Sequence, residues 1–153
     1  MTQPNGARPD GARVVIRLKD AFAKAVNEEG IHYAKDADLA PLKSVLAEQK
    51  ADLHNQLRDF EYYVQSSEAH GINDTPMVNW VRDATQHPYT QDKYSKLFVV
   101  SVGGHKVFDR ADADKLAERF NALIGQGVVE AVKVDSMDPT RNPPVPKQYF
   151  KHG

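Results

Sequence analysis

Apolar positions along the chain fall into two regimes, one recurring every three or four residues and one running in short β-branched blocks. The first regime opens the chain. Val15, Leu18, Phe22 and Val26 form a stripe that predicts a helix from the capping residue Asp10 to about Asn27, with Gly30 just beyond its end. A competing signal sits inside that window. Val14 and Val15 are β-branched, so residues 13–18 also read as a strand, although periodicity over the full window favours the helix.

The longest periodic stretch follows. Asp38 offers an N-cap and Pro41 lies in the first turn, after which Leu42, Leu46, Gln49, Leu53, Leu57, Phe60 and Val64 share one face. This pattern predicts a single helix over 38–70 with Gly71 as its stop, about 48 Å long at 1.5 Å per residue. Thr75-Pro76 starts a short helix over about 75–85, with Met77, Trp80, Val81 and Ala84 on its apolar side. Residues 87–92, from His87-Pro88 to Asp92, read as a loop.

The period then changes to that of strands. Leu97–Val102 and residues 105–108 flank Gly103-Gly104, a two-residue hairpin signal. Asp109 caps a helix over about 109–124, and residues 128–134 form a third strand. The expected fold class is α+β: an N-terminal helical pair with one long helix, a short connecting helix, and a C-terminal β-β-α-β antiparallel lobe in spatial order 2-1-3. The corresponding organisation is a flexible arm over 1–9, a helical region over 10–88, the sheet lobe over 95–136 and a Pro-rich basic tail over 137–153, all in one compact unit.

Composition narrows the chemistry. With no cysteine, disulfide scaffolds, Cys-ligated zinc, iron–sulfur clusters and thiol catalysis are excluded. The longest apolar run, Leu97-Phe98-Val99-Val100, is too short to span a bilayer, and no signal-peptide pattern opens the chain; a cytoplasmic protein that does not enter a membrane is expected. A net charge of −1 gives no global field, although residues 1–75 carry −3 and residues 76–153 carry +2.

No histidine pair has metal-ligand spacing. His54 shares its predicted helix flank with Lys50 and Arg58, Glu48 and Asp52 complete no ligand set, and His70 suits a helix C-terminus; no metal and no cofactor is expected. Ser101 and His105 face each other across the predicted hairpin without an orienting acid, and Gly103-Gly104 leads into a strand rather than the helix that a phosphate cradle needs. Asp109, Asp112 and Asp114 match a helix N-terminus.

The expected function is therefore a non-enzymatic protein–protein interaction or assembly protein, of the kind phages and mobile elements carry as accessories or inhibitors of a larger complex. Its contacts are expected at Phe60, Tyr62, Tyr63 and Val64 on the long helix and at Tyr149 and Phe150 in the tail, toward a protein partner or a second copy. One alternative is a single-stranded nucleic-acid-binding module using Tyr89, Lys93, Tyr94, Lys96, Arg141, Lys147 and Lys151, where rings interleave with bases. A second is a small His/Asp-dependent hydrolase using His54, His87 or His105.

Overall fold

The computed structural model describes residues 11–136. The arm over 1–9 and the tail over 137–153, with Arg141, Lys147, Tyr149, Phe150 and Lys151, lie outside the described residues.

The chain is α+β, as its pattern implies, but the opening element is a strand. β1 (Gly11–Leu18) precedes α1 (Asp20–Glu29). Six of the eight residues of β1 are buried, and the β-branched run Val14-Val15-Ile16 fits a strand covered on both faces. The predicted stripe from Val15 to Val26 thus joined two different elements. Lys19, the extended N-cap residue of α1 (φ −62°, ψ 151°), separates them.

The predicted 38–70 helix is also corrected. A single 3₁₀ turn, Ala37–Leu39, leads into α2 (Ala40–Gln49), which ends at Lys50 in the left-handed conformation (φ 52°). β2 (Ala51–Asn55) follows, and α3 (Gln56–Ala69) starts directly after it. β2 pairs antiparallel with β3 (Leu97–Val102) from Ala51↔Val102 to Asn55↔Phe98. The ladder to a buried central strand outweighs the helical spacing, because it satisfies the backbone of β2 while Leu53 still reaches the main core.

α4 (Pro76–Gln86) begins as its sequence predicts, with Thr75 accepting a hydrogen bond from Val78 N at 3.2 Å. The expected loop at 87–92 is instead the start of α5 (Pro88–Ser95), with Pro88 in its first turn. After β3 come the short β4 (Phe108–Asp109), α6 (Arg110–Asn121) and β5 (Val129–Ser136).

The sheet order is β5-β1-β3-β2, all neighbours antiparallel, and β4 pairs with Gly11 and Ala12 of β1. This replaces the expected 2-1-3 lobe. β1 lies between β3 and β5, so the sheet draws strands from both halves of the sequence. Parallel strands β1 and β2 enclose β3, and parallel strands β3 and β5 enclose β1, which makes two interlocked split β-α-β units. Helices α3 to α5 are inserted between β2 and β3.

Alternation then assigns the faces. Ala12, Val14, Ile16 and Leu18 of β1 and Phe98 and Val100 of β3 join Ala23, Leu42, Leu46, Leu116 and Phe120 from α1, α2 and α6 in one core. Val15 and Val99 point the other way and are also buried, on the side where α3 and α5 contact β3.

Gly103-Gly104 forms the predicted tight turn, with φ of 58° and 82° and both Val102–His105 backbone hydrogen bonds at 3.0 Å. Open space surrounds both glycines, so only backbone strain opposes a side chain there. Gly103→Val and Gly104→Val are each expected to lower stability by about 1–2 kcal/mol, read as a shift in urea midpoint at constant slope. Gly103→Asn should lose less, because Asn tolerates the left-handed region.

Candidate binding groove

The inserted helices cover the β2–β3 half of the second sheet face and leave the β1–β5 half open. On that half, odd-numbered residues of β1 lie on this second face beside their β5 partners, Arg13↔Asp135, Val15↔Lys133 and Arg17↔Ala131, with Val15 buried between the two half-buried arginines. Leu97, opposite Arg17 on β3, completes the floor. Gln56 of α3, Trp80 of α4, and Lys93 and Tyr94 of α5 form the wall, and the groove so enclosed has a volume of about 350 Å³.

An aromatic cluster holds the wall in place. Phe60 meets Trp80 edge-on at 5.9 Å between ring centroids and Tyr94 at 4.8 Å, both in the favoured T-shaped range. Lys93 Nζ lies 5.4 Å from the centre of the Tyr94 ring.

Positive charge dominates the groove. Arg13, Arg17, Lys93 and Lys133 line it, against the single carboxylate Asp135. Asp135 is shared between Arg13 Nε at 3.9 Å and Lys133 Nζ at 3.6 Å, and Glu130 meets Arg17 at 3.3 Å. Counting Glu130, four cations face two acids. One buried polar atom in this groove also lacks a hydrogen bond among the described residues: Arg13 Nε has no acceptor beyond its 3.9 Å ion pair with Asp135.

A polar joint ties the helical insertion to the sandwich. Asn55 Oδ1 accepts from Arg58 N at 3.1 Å and so caps α3, while Asn55 Nδ2 donates to Asn27 Oδ1 and to Ser95 O, each at 2.8 Å. Asn27 Nδ2 donates to the same Ser95 carbonyl at 2.8 Å, and an Arg58 guanidinium N–H donates to Asn27 O at 2.7 Å. Nearby, Lys96 Nζ bridges Asp92 at 3.0 Å and Asp20 at 3.1 Å.

Two protonation equilibria follow from this packing. Burial raises the Tyr94 phenol above its usual 10.0, opposed by Arg13 and reinforced by Asp135. Asp92 and Asp20 hold the Lys96 ammonium above its usual 10.5. Both groups keep their protons longer in the folded chain than in the unfolded one. Their contribution is complete below the unfolded values and is lost as pH rises through the folded ones, so stability should fall in alkali. Urea midpoints are expected to drop as pH rises above about 10, where both groups begin to titrate in the unfolded chain, and Lys96→Met should remove part of that decline.

The structure distributes the other candidates differently. Phe60 is half-buried in the aromatic cluster and Val64 is buried, whereas Tyr62 is 72% and Tyr63 39% exposed. Of the basic and aromatic candidates within 89–96, Lys93 and Tyr94 reach the groove, Tyr89 is exposed, and Lys96 is held in its carboxylate bridge.

His54 is not on a helix flank. It lies in β2, and its Nε2 is 2.8 Å from Ser101 Oγ. Ser101 therefore meets His54 rather than His105. The pair resembles a nucleophile and its base, but Ser101 is 4% exposed and the contact joins two polar groups between β2 and β3. His87 caps α5, and His105 sits at the hairpin. Among the described residues, no cluster of three or more His, Cys, Asp or Glu is placed to hold a metal ion, and no helix is long and apolar enough to cross a membrane.

Arg13, Arg17, Gln56, Trp80 and Lys133 were not among the binding residues expected from sequence. The signal that locates most of them is alternation, Arg13-x-Val15-x-Arg17 against Ala131-x-Lys133-x-Asp135, which becomes visible once 11–18 is read with period two. No family model, curated protein or solved structure matches the chain.

Proposed function

We propose that this protein is a non-enzymatic interaction protein whose contact surface is the groove between the β1–β5 sheet face and helices α4 and α5, and whose partner is anionic. The observation that carries this reading is the excess of cations in a walled groove: Arg13, Arg17, Lys93 and Lys133 against Asp135 and Glu130. Salt bridges that serve only stability balance their charges, whereas a binding surface leaves an excess to complement its partner. Buried Arg13 Nε, 3.9 Å from Asp135 but without a hydrogen-bond acceptor, points the same way, since a buried donor left unbonded costs stability until a ligand supplies an acceptor. The burial of Ser101 favours a binding role over hydrolysis by the His54–Ser101 pair.

Trp80 is the only tryptophan in the sequence and lines the groove, so its fluorescence reports occupancy. Titration with chemically different polyanions at low salt should shift Trp80 emission for at least one of them, reversed by added salt. Unchanged emission with polyphosphate, polyglutamate and oligonucleotides alike would overturn the reading.

A further inference from the structure

We infer that the partner held in this groove is single-stranded nucleic acid; the inference rests on the groove reading above and names its ligand. Two kinds of group line the site, and a single strand carries the complement of both. Arg13 and Arg17 are four residues apart on β1, about 13 Å along the strand, with Lys133 across from Val15 and Lys93 on the wall. This track of separated cations suits a phosphate backbone. Trp80 and Tyr94 stand beside it, propped by Phe60, and supply ring surfaces on which bases stack.

The Gln56 carboxamide adds donors and an acceptor at the same wall, the combination that meets a base edge. An acidic peptide would satisfy the cations and leave the rings without planar partners. A duplex keeps its bases stacked inside, out of reach of aromatic residues set in a groove wall.

Residues outside the described part of the chain carry charge of the same sign. Ser136, where β5 ends, follows Asp135 opposite Arg13, and residues 137–153 carry Arg141, Lys147 and Lys151 against Asp138. That segment has the sign of the groove, so it complements a polyanion and not the groove itself.

The test is fluorescence anisotropy of the full chain with labelled oligothymidylate and oligouridylate of ~12 nucleotides, a duplex of equal length, and polyglutamate. The single strands are expected to bind at least about tenfold tighter than the duplex or polyglutamate. With two to four phosphates neutralised, log affinity should fall against log salt with a slope of about −1.4 to −2.8. That is a loss of roughly 7- to 50-fold between 50 and 200 mM salt.

Lys93→Gln and Lys133→Gln change exposed side chains and should each flatten the slope by about 0.7. Trp80→Leu should weaken binding by about 5- to 150-fold, with Trp80-independent anisotropy as the readout. Tighter binding of polyglutamate, weakened by the two lysine variants, would overturn the nucleic-acid inference and leave the groove reading standing. Single-strand binding unaffected by both lysine variants would overturn the inference by placing the strand elsewhere. Absence of binding by every probe, with Trp80 emission unmoved, would overturn both.

Discussion

Val14→Asp is expected to abolish the folded state. Val14 is fully buried on the core face of β1, in the cluster with Ile16, Leu18, Phe98 and Phe120, and β1 is central in the sheet. A carboxylate there either stays ionised in an apolar setting or takes up a proton, and both options cost several kcal/mol. Loss of packing adds to that. The total approaches the ~5–15 kcal/mol by which domains are stable. Circular dichroism should lose its cooperative thermal transition. Val14→Ala, which removes volume without adding charge, should stay folded and lose about 1–3 kcal/mol. The pair also separates the two readings of the N-terminal region: on a helix with the Val15–Val26 stripe inward, Val14 lies at the edge of the buried face and Val14→Asp would cost far less.

Asn55→Ala should show the next largest effect, a loss of about 2–4 kcal/mol in urea unfolding. Removing the side chain deletes the cap of α3, about 1 kcal/mol, and takes a donor from both Asn27 Oδ1 and Ser95 O in a half-buried joint. Asn55→Asp separates these contributions. It retains an oxygen for Arg58 N but turns a carboxylate oxygen toward two other acceptors. Asn55→Asp should therefore remain clearly destabilised despite its intact cap. If it matched the wild type, the cap alone would account for Asn55. Because this joint anchors the starts and ends of elements that carry Gln56 and Tyr94, a loosened joint should also broaden Trp80 emission in the native state.

The two parts of this chain differ in how far local pattern governs them. From Thr75 onward, local chemistry was sufficient for most elements. Thr75-Pro76 starts α4, Gly103-Gly104 makes the tight turn, Asp109 precedes α6, and the β-branched run at Leu97–Val102 is a strand, although the residues after the turn do not return along β3 as the expected hairpin and β4 pairs with β1 instead. Each signal is a backbone requirement met by the residue itself, such as a side-chain oxygen for an orphan N–H or a glycine for positive φ. The α+β class was legible from these elements taken together.

Before Thr75, tertiary pairing decided. Ala51–Asn55 contains Ala, Asp, His and Asn, all poor or indifferent strand formers, and its one leucine, Leu53, continues a helical stripe. It is a strand because β3 offers it a ladder. β1 likewise owes its place to a sheet assembled from β3 and β5, about eighty residues or more away in sequence. The groove follows from that assembly. Arg13, Arg17 and Lys133 become one basic surface only when β1 and β5 pair in register, and Trp80 and Tyr94 face it only because Phe60 holds them there. Sequence by itself determined the turns, caps and β-branched runs, which depend on near neighbours. Strand pairing, and with it the candidate site, depended on contacts between distant segments, whose energies no local window contains.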